Sequence, residues 1–320
     1  MHRAMVAFTA LFAACSVFAQ GGFPSRPITM VVGFAPGGGT DTAARIIAKA
    51  VAESLGQPVQ VDNRAGAGGN IAHDYVAKST PDGHMILLGS VGPLTVAPHM
   101  IKNLPYDPLK DLAPVTMAVS FANVLVVHSE VPARTLAEYV KLANEKAGTL
   151  TYGSSGIGGA GHLSGELFRM MSKADIVHVP YKGGGPAMQD LLGKQIASIF
   201  ATPISAGPHI KSGRIRAIAV TSATRTEFMP EVPTIAESGY PGFEATNWYA
   251  YVLPSKTPAE IVDRWNRELV KVLNAPVVRT ALLAQGMEPV PGTRAQLADY
   301  IKREYDTWGR VVREANITAN

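Results

Sequence analysis

The sequence predicts an α/β protein built as two similar α/β lobes, joined by a hinge that the chain crosses twice. Three observations carry this. β-Branched apolar runs alternate with segments whose apolar residues recur at helical spacing, the signature of sheets flanked by helices. Three glycine-rich loops each stand between such a run and such a segment. The chain has 320 residues, more than one typical domain holds and suited to two.

The first lobe begins with the strand Ile28–Val32, which breaks into the loop Gly33–Asp41. Ala43, Ala44, Ile46, Ile47, Ala50, Val51 and Leu55 then follow at helical spacing. Val59–Asp62 reads as the next strand, and Asn63–Asn70 as a second glycine loop opening a helix. That helix ends before the turn signal Thr80-Pro81-Asp82-Gly83. Met85–Leu88 is a third strand. Strands and helices in alternation predict parallel sheets covered on both faces.

The pattern recurs in the middle of the chain. Val124–Val127 is a strand, Thr135–Lys146 a helix, and Leu150–Tyr152 a strand leading into the third glycine loop, Gly153–Gly161. A helix spans about His162–Met171. The strand Ile176–Val179, the loop Pro180–Pro186, a helix at Ala187–Leu192 and strands at Ile196–Phe200 and Ile215–Val220 follow. Near the C-terminus, Trp248–Val252 reads as a strand with no sequence neighbour to pair with. Thr257-Pro258-Ala259-Glu260 carries a Thr cap, a Pro at the first helical position and a Glu three residues after the cap. Thr293 and Gln296 form a weaker version of the same box. The lobes divide as 20–122 with 246–320, and 123–245. The crossings fall at Phe121-Ala122-Asn123 and Glu244-Ala245-Thr246. An interlobe cleft is a preferred place for a small ligand.

Composition narrows the function. At 47% hydrophobic and 17% charged residues, the chain supports a large core. The net charge of +4 comes from dispersed basic residues, so nucleic-acid binding is not expected. The first nineteen residues read as an export signal. Arg3 supplies the positive region, Met5–Ala14 the apolar stretch, and Val17-Phe18-Ala19 the small residues before a cut after Ala19. An uncleaved anchor is the lesser alternative. Cys15, the single cysteine, stands in Phe12-Ala13-Ala14-Cys15, which loosely resembles a lipoprotein cleavage site. Phe is a poor first residue there, so lipidation ranks second. With the signal removed, no cysteine is left for disulfides, thiol catalysis or cysteine-zinc sites.

The glycine loops are the chemical signal. Phe34-Ala35-Pro36-Gly37-Gly38-Gly39-Thr40-Asp41 lets backbone N–H groups face a ligand at a helix N-terminus, where a carboxylate or phosphate is favoured. A plain strand-to-helix turn is the alternative. No Gly-Lys-Ser/Thr follows, so this is not a nucleotide phosphate loop. Gly156-Ile157-Gly158-Gly159-Ala160-Gly161 matches G-x-G-x-x-G, but Asp175 precedes the next strand instead of following it, the wrong end for a ribose. The loop reads better as a second anion cradle, with Ser154 and Ser155 adding hydroxyls. Gly153-Ser154-Ser155-Gly156 is not a serine-hydrolase elbow. No acid is placed to orient His162, which reads as a hydrogen-bonding residue at a helix start, and the histidines lack metal spacing. Asp41 either merely complements the helix dipole or, as a site residue, restrains the loop N–H groups or accepts a hydrogen bond from bound water or ligand. Tyr181 either lines the cleft or plugs the core. No catalysis and no cofactor are expected.

These segments together resemble the Bug-type extracytoplasmic substrate receptors of tripartite tricarboxylate transporters. The likeness rests on Pro27–Arg45, Asn63–Gly69, Tyr152–Gly156, His162–Phe168, His178–Pro186 and Pro208–Gly213, in that order along essentially the whole mature chain. It implies the type II periplasmic-binding-protein fold, the Venus flytrap. The implied occupant is a small organic carboxylate, held by Phe34, Ala35, Gly37, Gly38 and Asp41 on one side and Ser154, Ser155 and Gly156 on the other. Ser90 and His162 are added to this set. The implied partner is an integral-membrane permease, the location is the periplasm, and the receptor is a monomer. One position departs from the family pattern: after Ile196–Phe200, where an acid often stands, the chain reads Ala201-Thr202-Pro203. Thr202 in that place predicts mono- or dicarboxylates, aromatic ones included, over amino acids. The rival readings are a ligand-sensing subunit and a periplasmic enzyme on the same scaffold.

Overall fold

The computed structural model describes residues 22–314. The export signal, the cut after Ala19 and Cys15 lie outside the described residues. The first sheet draws on β1 (Ile28–Val32), β2 (Val59–Asn63), β3 (Met85–Ser90), β4 (Leu112–Ala122), β10 (Thr246–Pro254) and β11 (Glu288–Pro289). The second is built from β5 (Val124–His128), β6 (Leu150–Ser154), β7 (Ile176–Pro180), β8 (Ser198–Ala201) and β9 (Ile215–Val220).

The two sheets have one plan. Their orders are β2-β1-β3-β10-β4-β11 and β7-β6-β8-β5-β9. In each, three parallel strands are followed by one that has just crossed from the other sheet. That strand runs antiparallel to both of its neighbours. The sheets are therefore mixed, where the alternation of strands and helices predicted parallel ones. The crossing is the reason: β4 leaves as β10 returns beside it, so the pair must be antiparallel. This arrangement is the two-crossing, type II plan.

Asn123 alone separates β4 from β5, and Ala122 pairs with Thr246. The Asn123 N–H donates to Thr221 Oγ1 at 2.9 Å, and the Thr221 hydroxyl donates to Ala245 O at 2.8 Å. Both crossings are thus tied through one buried threonine.

Helices cover each sheet on both faces, because every central strand is apolar on both. On the first sheet, α1 (Gly39–Leu55), α8 (Ala259–Asn274) and α9 (Pro276–Leu283) bury Ile47, Trp265 and Leu269 on one side. On the other side, α2 (Asn70–Ala77) and α10 (Arg294–Glu314) pack with Leu87 and Trp248. The short α3 (Ala97–Met100) extends the turn after β3. On the second sheet, α4 (Leu136–Glu145) and α5 (Ala160–Ser172) oppose α6 (Gly184–Leu192) and α7 (Pro203–Lys211). Each fully buried aliphatic or Phe side chain contributes about 1.5–3 kcal/mol, so these four clusters hold the lobes.

Besides the short α3 and β11, three elements escape the sequence pattern. β4 contains Pro114, which lacks an N–H; it lies opposite Val252, beside a register shift that relieves the ladder. α7 carries Pro203 at its start and Pro208 inside. α9 follows α8 with only Ala275 between them. The two caps also reverse in rank. Thr257 makes no cap, and its buried hydroxyl finds no partner. The weaker box forms fully: Thr293 N–H donates to Gln296 Oε1 at 2.8 Å, and Gln296 N–H to Thr293 Oγ1 at 3.1 Å. Among the described residues no helix is long and apolar enough to cross a membrane.

Candidate functional site

A small cavity of about 40 Å³ lies where the two sheets meet. Four helices begin at its wall. Gly38, Gly39 and Thr40 open α1, Ala160 and Gly161 open α5, Gly184 opens α6, and Thr202 with Ser205 opens α7. In α1 the helical bonding starts with Thr42 N–H to Gly38 O, and in α5 with Leu163 N–H to Gly159 O. The amides before those have no intrahelical acceptor and carry the positive end of the helix dipole. Phe34, Ile199, Phe200, Ala201 and Tyr249 supply apolar wall; Ser90, Ser155, Asn123 and Asn247 supply polar atoms. Among the described residues no charged side chain lines the cavity. Its field is that of converging backbone dipoles, which favours a small anion.

Two polar groups there are buried and without protein partners, Ser90 Oγ and Asn247 Oδ1. An unmade buried hydrogen bond costs about 1–3 kcal/mol, which a partner reaching either atom would relieve.

The expected residues divide. Phe34, Gly38, Ser90, Ser155 and Thr202 line the cavity. Ala35, Gly37, Asp41, Ser154, Gly156, His162 and Tyr181 are not part of its wall. The Ala35 N–H donates to Lys182 O at 3.0 Å. Asp41 braces its own loop: it accepts the Gly37 N–H at 3.1 Å, Asn63 Nδ2 at 3.0 Å and the Arg45 guanidinium at 2.9 Å. Burial pushes its carboxyl up, but the hydrogen bonds from Arg45, Gly37 and Asn63 outweigh this and hold it below the ordinary range. The bond from Gly37 is the restraint of a loop N–H group expected of Asp41 as a site residue.

The third glycine loop is likewise closed on itself at its start. Ser154 Oγ accepts the Gly156 N–H at 3.1 Å and joins His178 Nε2 at 2.7 Å. The Gly158 N–H donates to His162 Nδ1 at 3.1 Å, so that nitrogen is unprotonated. This is the helix-start role read for His162. The two imidazoles lie 4.2 Å apart. Burial, then the neighbouring His162, lowers His178 to about 3. Such a base is far too weak to activate Ser154 near neutral pH, and no acid hydrogen-bonds to it. Besides Ser155, the residues of this segment that line the cavity lie further along, at Ala160 and Gly161. Tyr181 turns to Asp190, donating at 2.7 Å.

Sequence reasoning missed Asn123, Asn247 and Tyr249. All three sit at or beside the crossings, and Asn247 and Tyr249 share one face of β10. The period-2 spacing on that strand was the available signal.

The lobes meet around this cavity through glycine. A Cβ on Gly68 would stand 2.2 Å from Ile157 O, on Gly92 2.4 Å from Gly158 O, and on Gly39 2.6 Å from Thr202 Oγ1. Backbones can approach this closely only because those side chains are absent.

Residues 43–317 match the model of the tripartite tricarboxylate transporter family receptor. BugT of Bordetella pertussis is 41% identical over 293 residues, covering 91% of this chain and 90% of BugT. A solved Rhodopseudomonas palustris structure with adipate is 35% identical at a TM-score of 0.90, covering 92% of this chain and 99% of that one. MatC of the same organism, solved with bound malate, is 33% identical at a TM-score of 0.86, covering 91% and 100%.

Proposed function

This chain belongs to the tripartite tricarboxylate transporter receptor family, and we propose on that footing that it captures a small organic carboxylate between its lobes. The observation that carries the reading is four helix N-termini from both lobes meeting at one uncharged cavity. A carboxylate there gains hydrogen bonds from both lobes at once, so it favours the closed arrangement over the open one. Closure is thereby selected by the ligand. The closed form then delivers its cargo to the membrane permease of a tripartite transporter, in the periplasm, to which the N-terminal signal directs the chain.

The ligand is a mono- or dicarboxylate, aromatic ones included. Phe34, Phe200 and Tyr249 give its carbon skeleton an apolar wall. With Thr202 where an acid often stands, no carboxylate faces an ammonium group, which disfavours amino acids. Relatives solved with adipate and malate support the class.

Native mass spectrometry of protein purified from cells, followed by a thermal-shift screen, tests this. A co-purifying carboxylate should raise the melting temperature through its affinity for the folded state. Tight amino-acid binding with no response to carboxylates would contradict the reading.

A further inference from the structure

The polar atoms at the crossings form a chain whose direction can be worked out. Ser164, in α5, gives its only hydroxyl hydrogen to Ala160 O at 2.8 Å. Its oxygen is left with acceptor capacity alone. Asn123 meets that oxygen through a long contact of 3.5 Å and must present its Nδ2 there. Its Oδ1 therefore faces Asn247, which answers with Nδ2 at 3.2 Å. The amide orientations follow from the network, and each fixes the next. The end of the chain is Asn247 Oδ1, an acceptor that is buried and unpartnered in a residue that lines the cavity. Ser90 pairs with Tyr249 across β3 and β10, on the face that Asn247 also occupies. Its hydroxyl is buried and unpartnered too.

A carboxylate cannot satisfy Asn247 Oδ1, because both are acceptors. An occupant that offers only carboxylate and hydrocarbon brings no donor of its own to this oxygen. An ammonium could donate, but no acid lines the cavity to balance its charge. The remaining chemistry is a neutral donor. We propose that Asn247, oriented by Asn123 and Ser164, is the specificity-determining residue of this cavity and selects hydroxycarboxylates over their unsubstituted analogues. The proposal rests on the carboxylate-capture reading above and names the ligand class within it. Ser90 lies beside it, its hydroxyl free to accept from the ligand hydroxyl or donate to the carboxylate.

A site built to pair a ligand hydroxyl rejects the analogue lacking it more strongly than a site of hydrocarbon does. Isothermal titration of the mature protein with matched pairs tests this: malate against succinate, lactate against propionate, mandelate against phenylacetate. For each pair that binds, the hydroxy member should bind at least about tenfold more tightly. In Asn247→Leu, a replacement of similar volume, that ratio should fall to within about twofold, whatever the change in absolute affinity. Equal binding of both members by the native protein overturns the proposal, and needs no variant. Retention of the full ratio in Asn247→Leu overturns it as well. Absence of binding by every carboxylate sinks the capture reading itself and this inference with it.

Discussion

His178 and His73 contribute to the pH response expected of this protein, because burial keeps both neutral in the fold. Burial lowers His73 to about 4, and burial with His162 lowers His178 to about 3. In an unfolded chain both would take up a proton near pH 6.5. Above that pH neither state is protonated and stability is unaffected. As pH falls below it, the unfolded chain binds protons that the fold refuses. Stability then declines by up to about 1.4 kcal/mol per pH unit for each histidine, levelling near the folded values. Thermal melts should show a falling midpoint between pH 6.5 and 4, and His178→Gln should flatten that slope. An unchanged slope in the variant would remove His178 as its source. At this scale the sequence was partly readable. Phe34, Gly38, Ser90, Ser155 and Thr202 were found because they flank glycine loops or end strands. Asn123 and Asn247 were not, because their role exists only where two distant crossings lie side by side.

Among the elements, the caps separate pattern from packing. Thr293 and Gln296 exchange hydrogen bonds at the start of α10, whereas Thr257 Oγ1 is buried unpaired before α8. Thr293→Ala should therefore cost about 1 kcal/mol of stability. Thr257→Val, which removes an unsatisfied hydroxyl at constant shape, should be neutral or stabilising. Denaturant titration of both checks the contrast; equal losses would contradict it. The motif at Thr257 is the stronger of the two in sequence, but Pro258 supplies the first acceptor of α8 with its own carbonyl. Strand and helix order was legible throughout the regions where apolar period and turn chemistry agree. β4 and α7 were lost to Pro114 and Pro208, residues that a bulge and a helix of ordinary packing accommodate only once the neighbours are known.

For the whole molecule, the two-lobe plan was readable from the repeated strand–glycine loop–helix unit, while the mixed sheets were not. Strand direction depends on which lobe a strand has just left. The closeness of the lobes depends on glycines such as Gly92, whose added Cβ would have backbone of Gly158 and Gly159, across the cleft, as its nearest neighbours. Gly92→Ala should accordingly leave the unliganded melting point within about 2 °C, since the nearest atoms the new methyl meets belong to the other lobe. Ligand affinity should fall about tenfold or more, because closure would meet the new methyl group. Calorimetry and thermal melts on the same variant separate the two effects; full affinity would show that the lobes close elsewhere.

The most direct measurement is a crystal structure of the protein with the carboxylate that co-purifies with it. The carboxylate oxygens should lie within hydrogen-bond reach of the first amides of α1, at Gly39 and Thr40, and of α5, at Ala160 and Gly161. Density for the ligand outside this cavity, in the outer cleft of the second lobe beside Arg169, Lys173 and His178 for example, would contradict the account.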